Sequence, residues 1–121
     1  KEKTPLVLSA HQDVVEPGVL SLWHQEPFSG AYADGCVWGR GTTDCKHLFL
    51  AEMEAVETLF AQGFRPDYDL YIALGYSEEI YTTSGEDGGR LLKEAFDAQG
   101  VKEIVLLTKA AVLRLMHRAI A

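Results

Sequence analysis

Pro5-Leu6-Val7-Leu8-Ser9-Ala10-His11-Gln12-Asp13 is a short apolar run bounded by a proline and by polar residues, and it predicts a buried strand over residues 5–10. That strand delivers His11 and Asp13 at its C-terminal end. The pattern returns at residues 69–76, where Asp-Leu-Tyr-Ile-Ala-Leu-Gly-Tyr predicts a second core strand followed by Ser77-Glu78-Glu79. Between the two, Leu48, Phe49, Met53, Val56, Leu59 and Phe60 recur at helical spacing, with Glu52, Glu54 and Glu57 on the positions expected to be exposed and Gly63 as the stop. A second helix is expected over residues 87–98 with Leu91, Leu92, Ala95 and Phe96 inward, then a third strand over residues 103–107 after Gly100. Strand and helix alternating in this way imply the α/β class, with a mainly parallel sheet and flanking helices. The stretch over residues 16–43 is rich in Gly, Pro, Ser and aromatic residues and reads as ordered loop with short strands, pinched by Gly39-Arg40-Gly41.

The bulk properties bound the function. A chain of 121 residues with 47% apolar and 24% charged residues has the makings of one small soluble core. A formal net charge of −7 without clustered Lys or Arg argues against a nucleic-acid partner. No apolar run approaches the roughly 20 residues that span a bilayer, and Lys1-Glu2-Lys3-Thr4-Pro5 lacks the layout of a signal peptide, so no membrane association is expected. Cys36 and Cys45 are too sparse for a disulfide framework and read as free thiols, which tilts the compartment slightly toward the cytoplasm. The first strand begins within a few residues of Lys1 with no earlier partner, which reads as the start of a piece of a longer design.

Three clusters fall on the same edge of such a sheet: His11 with Asp13, Asp44 at the start of the first helix, and Glu78 with Glu79. In open α/β sheets that edge binds ligands. Imidazole with carboxylates suits Zn²⁺, with a coordination position left open when the site is catalytic, and hydrolysis is the natural reaction class. Each cluster alone has a plain structural reading. His-x-Asp arises by chance, Asp44 serves equally well as a helix cap, and adjacent glutamates commonly make a solvated turn. Arg40 and Lys46 read as positions of structural salt bridges and are left out of the site.

The full set of motifs is specific. Residues 5–15 as Pro-Leu-Val-Leu-Ser-Ala-His-Gln-Asp-Val-Val, Trp23 with Pro27-Phe28-Ser29-Gly30, then Gly35-Cys36-Val37-Trp38-Gly39-Arg40-Gly41-Thr42-Thr43-Asp44-Cys45-Lys46, then Glu78-Glu79, resemble in order and spacing the aminoacylase/carboxypeptidase family of co-catalytic zinc metallopeptidases. The flavour is that of carboxypeptidase S and N-acyl amino acid hydrolases. The resemblance implies a partial zinc-peptidase catalytic domain over residues 1–107 and a pair of zinc ions, with His11 on one metal, Asp44 bridging both and Glu79 on the other. It further implies Glu78 and Asp13 as the catalytic carboxylates, Glu78 as general base and Asp13 holding the His11 ring without being a ligand. The substrate implied is a small peptide or an N-acyl amino acid, and the product a free amino acid.

Departures from the family pattern are Ser77 where most relatives have an Asp before the two glutamates, and Glu16 inserted before Pro17. Further ligands, an acid after the third strand and a later His, are expected beyond the matched segment, as is a second domain for dimerisation. An inactive fragment with an incomplete metal site is therefore the alternative reading. Residues 108–121 stop resembling the family where Leu-Asp-Glu-Gly-Gly is expected. One inserted G after the Leu107 codon would read Asp at position 108, which makes a shifted reading frame one origin for this tail, and a short C-terminal helix the other reading.

Overall fold

The computed structural model of the chain describes residues 3–80, 85 and 87–107, so the readings made on residues 108–121 lie outside the described residues. The elements are β1 (Leu6–His11), β2 (Tyr32–Ala33), β3 (Cys36–Val37), α1 (His47–Ala61), β4 (Leu70–Gly75), α2 (Gly88–Ala98) and β5 (Val105–Leu107). β1 is the middle strand of a three-stranded parallel sheet, paired with β4 from Leu6↔Leu70 to His11↔Gly75 and with β5 from Leu6↔Val105 to Leu8↔Leu107. β2 and β3 form a separate antiparallel pair within the loop-rich segment. The α/β class read from the sequence is the class observed.

The connections explain where the helices sit. From β1 the chain crosses through α1 to β4 on one side, then returns through α2 past β1 to β5 on the other. Right-handed crossovers running in opposite directions put their helices on opposite faces. Ala10 packs with Leu48 of α1, Cys45 and Phe49. Tyr71, whose partner Val7 has the opposite parity to Ala10, meets Phe96 of α2 edge to face at 5.0 Å between ring centroids. The direction of the connection thus reverses at β1, which puts the crevice at the C-terminal ends of β1 and β4, where ligands collect in such sheets.

Both helices end as their sequences dictate. Gly63, with φ 86°, follows α1, and its N–H and that of Phe64 bond the carbonyls of Phe60 and Leu59, closing the orphan carbonyls of the last turn. Asp87 caps α2, its Oδ1 accepting from Gly89 N (2.9 Å) and Arg90 N (3.1 Å).

The buried face of α1 differs from the expected one. Leu48 is fully buried and Glu52, expected to be exposed, is 3% exposed, whereas Met53, Leu59 and Phe60, expected inward, are exposed. The reason is phase: Leu48 and Glu52 lie one i,i+4 step apart on the row that faces the sheet, and the three narrow strands cover that row rather than the wider apolar stripe. Ala95 of α2 is likewise exposed while Phe96 is buried.

Gly41 closes the Gly-Arg-Gly pinch at φ 85°, and a Cβ there would stand 2.3 Å from Val14 Cγ1. Gly41→Ala is therefore expected to lower stability by roughly 1–2 kcal/mol from the left-handed backbone alone, with the clash adding to it. A denaturant titration of the two proteins checks this, and an unchanged midpoint counts against it.

Among the described residues no helix is long and apolar enough to cross a membrane. Cys36 is exposed and Cys45 buried, and both are free thiols.

Candidate active site

His11 is the last residue of β1, and its half-buried ring divides the site. Nδ1 lies 3.1 Å from the Asp13 carbonyl oxygen and 3.4 Å from Asp13 Oδ1, while Nε2 lies 3.2 Å from Asp44 Oδ1 and 3.9 Å from Glu78 Oε2. Asp13 ties the ends of the two strands together, because its Oδ2 accepts the Glu79 backbone N–H at 2.9 Å. Its own burial pushes the Asp13 carboxyl up, but the backbone N–H groups of Glu79 and Glu78, its own N–H and the His11 ring favour the charged form, and the net shift is downward. Asp13 Oδ1 is buried beside the ring without a hydrogen-bond partner among the described residues. The 3.4 Å approach to Nδ1 is thus an electrostatic contact, with the nearer hydrogen-bond acceptor being Asp13's own carbonyl.

Asp44 does not start the helix as expected. α1 begins at His47, and Asp44 lies in a preceding turn, Thr42–Lys46, with extended backbone at φ −126° and ψ 95°. That conformation carries its carboxylate back to the His11 ring. On the β4 side, Ser77 is buried with φ 61°, an uncommon conformation for a residue with a side chain, and it turns the chain so that two consecutive glutamates follow directly at the sheet edge.

Among the described residues the atoms that could hold a metal form two groups that share the imidazole. His11, Asp44 and Cys45 offer atoms all within 4.8 Å of one another, and so do His11, Glu78 and Glu79. Asp44 and Glu79, one from each group, both line a cavity of about 620 Å³ beneath Trp23, Trp38 and Arg40. A second cavity, of about 530 Å³, is lined by His11, Asp44, Glu78 and the first turn of α2. The carboxylates of Asp44, Glu78 and Glu79 near one imidazole repel one another in a way that a bound cation relieves, and the mixture of nitrogen and oxygen donors suits zinc. The residues present fit such an ion.

Arg40 and Lys46 have structural roles, but the expected salt bridges are not among the described contacts. Arg40 lies over the Trp23 ring at 5.1 Å and its Nη2 reaches Pro17 O at 3.4 Å, the same carbonyl that accepts from Trp23 Nε1 at 2.9 Å. Lys46 Nζ donates to Gln12 O at 2.7 Å, which fixes the backbone between His11 and Asp13. Backbone carbonyls are the acceptors in both cases, that of Pro17 in the loop after β1 and that of Gln12 at its end. Cys45, which the sequence reading treated only as a free thiol, stands within this site. Its signal in the sequence was its place directly after Asp44.

Comparison with known proteins shows the family of the chain. Residues 7–113 match the profile of Peptidase family M20/M25/M40. Carboxypeptidase S of Saccharomyces cerevisiae is 42% identical over 106 residues, covering 84% of this chain and 18% of that protein. Probable carboxypeptidase S-like 2 of Dictyostelium discoideum is 39% identical over 80% of the chain and 18% of its own length. An N-fatty-acyl-amino acid synthase/hydrolase of Xenopus tropicalis is 41% identical over 81% of the chain and 18% of its own length. The chain spans less than a fifth of the length of these relatives.

Proposed function

The chain belongs to Peptidase family M20/M25/M40, a metal-dependent hydrolase family, and from that premise we propose that it carries part of the active site of a two-zinc amide-bond hydrolase. The substrate class is a peptide cleaved at its C-terminal residue or an N-acyl amino acid, in keeping with the names of the relatives, and the product is a free amino acid. The observation that carries the reading is the imidazole of His11 at the C-terminal end of the central strand, braced on Nδ1 by Asp13 and facing Asp44 and Glu78 on Nε2.

In this reading His11, Asp44 and Glu79 hold the metals. Zinc bound there supplies positive charge that polarises the scissile carbonyl and makes water more acidic. Glu78, whose side chain is 63% exposed at the mouth of the site, takes the proton from the attacking water and passes it to the amine nitrogen as the C–N bond breaks. Asp13 keeps the His11 ring oriented and holds the Glu78-Glu79 turn against the end of β1.

The test is zinc stoichiometry together with hydrolysis of a dipeptide and of an N-acyl amino acid. Two zinc ions per chain with release of the amino acid is the expected result for a full-length family member carrying this segment. The absence of zinc uptake there overturns the reading. The same measurement on the 121-residue chain separates the two readings: two zinc ions with turnover support a complete site, and fewer ions without turnover support an inactive fragment with an incomplete one.

A further inference from the structure

Among the described residues β1 is paired unequally along its two edges. On the β4 edge the ladder runs to its end, where Gln12 N donates to Gly75 O at 3.0 Å. On the β5 edge the described pairing stops at Leu8↔Leu107, three residues before His11. In a strand, the N–H and C=O of one residue point to the same edge and successive residues alternate, so with Gln12 directed at β4, the backbone groups of His11 point to the other side. Cys45 stands there. Its Sγ accepts the His11 N–H at 3.3 Å and donates to the His11 carbonyl at 3.5 Å, and the residue is 2% exposed. A single thiol thus bonds both backbone groups on that edge at the point where the sheet presents its imidazole.

The same residue is covalently next to Asp44, whose Oδ1 faces His11 Nε2 at 3.2 Å. The two candidate metal-binding side chains come from different elements, a strand end and a turn, and loops hold such groups less firmly than sheet positions. The paired thiol bonds are a direct link between these two pieces of backbone at that point. Leu48 and Ala10 enclose the sulfur in the core, which keeps water from competing for the His11 backbone groups. We infer that Cys45 is a positioning residue for the metal site: its thiol, bonded to both backbone groups of His11, sets the separation of His11 and Asp44 and so the affinity for zinc. The inference rests on the metal-binding reading of the site, and it gives the buried cysteine a task that its burial alone does not.

Three variants separate positioning from packing. Cys45→Ser keeps a donor and an acceptor, Cys45→Val keeps the bulk and loses both, and Cys45→Ala loses bulk and bonds. In a full-length family member carrying this segment, zinc affinity is measured by competition with a chromophoric chelator, and the ligand field by the visible spectrum of the cobalt-loaded protein. The melting midpoint of the metal-free protein is recorded for each variant. Val and Ala are expected to bind zinc about 10- to 100-fold more weakly, the usual effect of removing a partner that orients a metal ligand, and to shift the cobalt spectrum at saturating cobalt. Serine is expected to recover most of the affinity and the wild-type spectrum, even though it restores less of the core packing than valine does. Zinc affinity that follows only the melting midpoint, with valine better than serine, overturns the assignment, as does an unchanged spectrum in all three. A wild-type protein that binds no zinc overturns the metal reading and this inference with it, whereas firm zinc binding indifferent to Cys45 overturns this inference alone.

Discussion

Glu78→Gln is expected to lower turnover by about 100- to 10,000-fold in a full-length family member carrying this segment, with zinc content close to that of the wild type. The amide keeps the shape of the carboxylate but has no lone pair basic enough to take a proton from water, so the proton transfer is lost while the surrounding contacts stay. Glu78 stands 3.9 Å from His11 Nε2 with its side chain 63% exposed, a position open to the water that the proposed mechanism has it deprotonate. Glu79 differs in that its backbone N–H is anchored to Asp13 at 2.9 Å and its side chain lines the cavity shared with Asp44. Glu79→Gln is accordingly expected to lose metal. Measuring zinc content and kcat for the two variants checks the division of labour. Equal metal loss in both overturns it, and full activity in Glu78→Gln removes that residue as the base.

The large-scale order of the fold was legible because its signal is repeated. Two short apolar runs ending in acidic or imidazole residues, each followed by a helical spacing, leave few arrangements other than a parallel sheet with its site at one edge. That Asp44 and His11 share one sheet edge was legible from the element order, but their contact was not, since it depends on an extended turn before α1 that no spacing rule distinguishes from an ordinary helix start. The buried row of α1 was misread for a related reason. Apolar residues at 49, 53, 56, 59 and 60 outvote the Leu48–Glu52 row in any count of periodicity, whereas burial is decided by which row the narrow sheet covers. Arg40 and Lys46 were assigned ion pairs because charge suggests charge, and the described contacts are to backbone carbonyls instead. Cys45 left no trace in the reading of its chemistry because a thiol bonding backbone groups has no sequence signature apart from where it stands.

Glu52 leads to the second large effect, on stability. Its carboxylate is buried to 3% exposure on the inner row of α1, and neither oxygen has a hydrogen-bond partner among the described residues. Burial pushes its carboxyl pKa up from the ordinary value of 4.5. The linkage has a definite sign. Below the unfolded value both states carry the proton and the group adds no pH dependence. As pH rises through 4.5 toward the raised folded value, the unfolded chain releases its proton while the folded chain retains it, so the folded state is the one binding more protons and stability falls with pH across that window. Above the folded value the loss is complete and constant. Glu52→Met follows the same unbranched path with comparable helix propensity and no polar atom to strand, so it is expected to raise stability by about 1–3 kcal/mol at neutral pH, the scale of an unsatisfied buried polar group. Glu52→Gln removes the charge but leaves an amide without partners, and is expected to abolish the pH dependence in this window with a smaller gain. Denaturant titrations of the three proteins from pH 4 to pH 8 provide the check. Parallel pH profiles for wild type and Glu52→Gln would mean that folding leaves this carboxyl unshifted, and a methionine variant less stable than wild type would mean that the carboxylate is held by a partner; either result overturns the prediction.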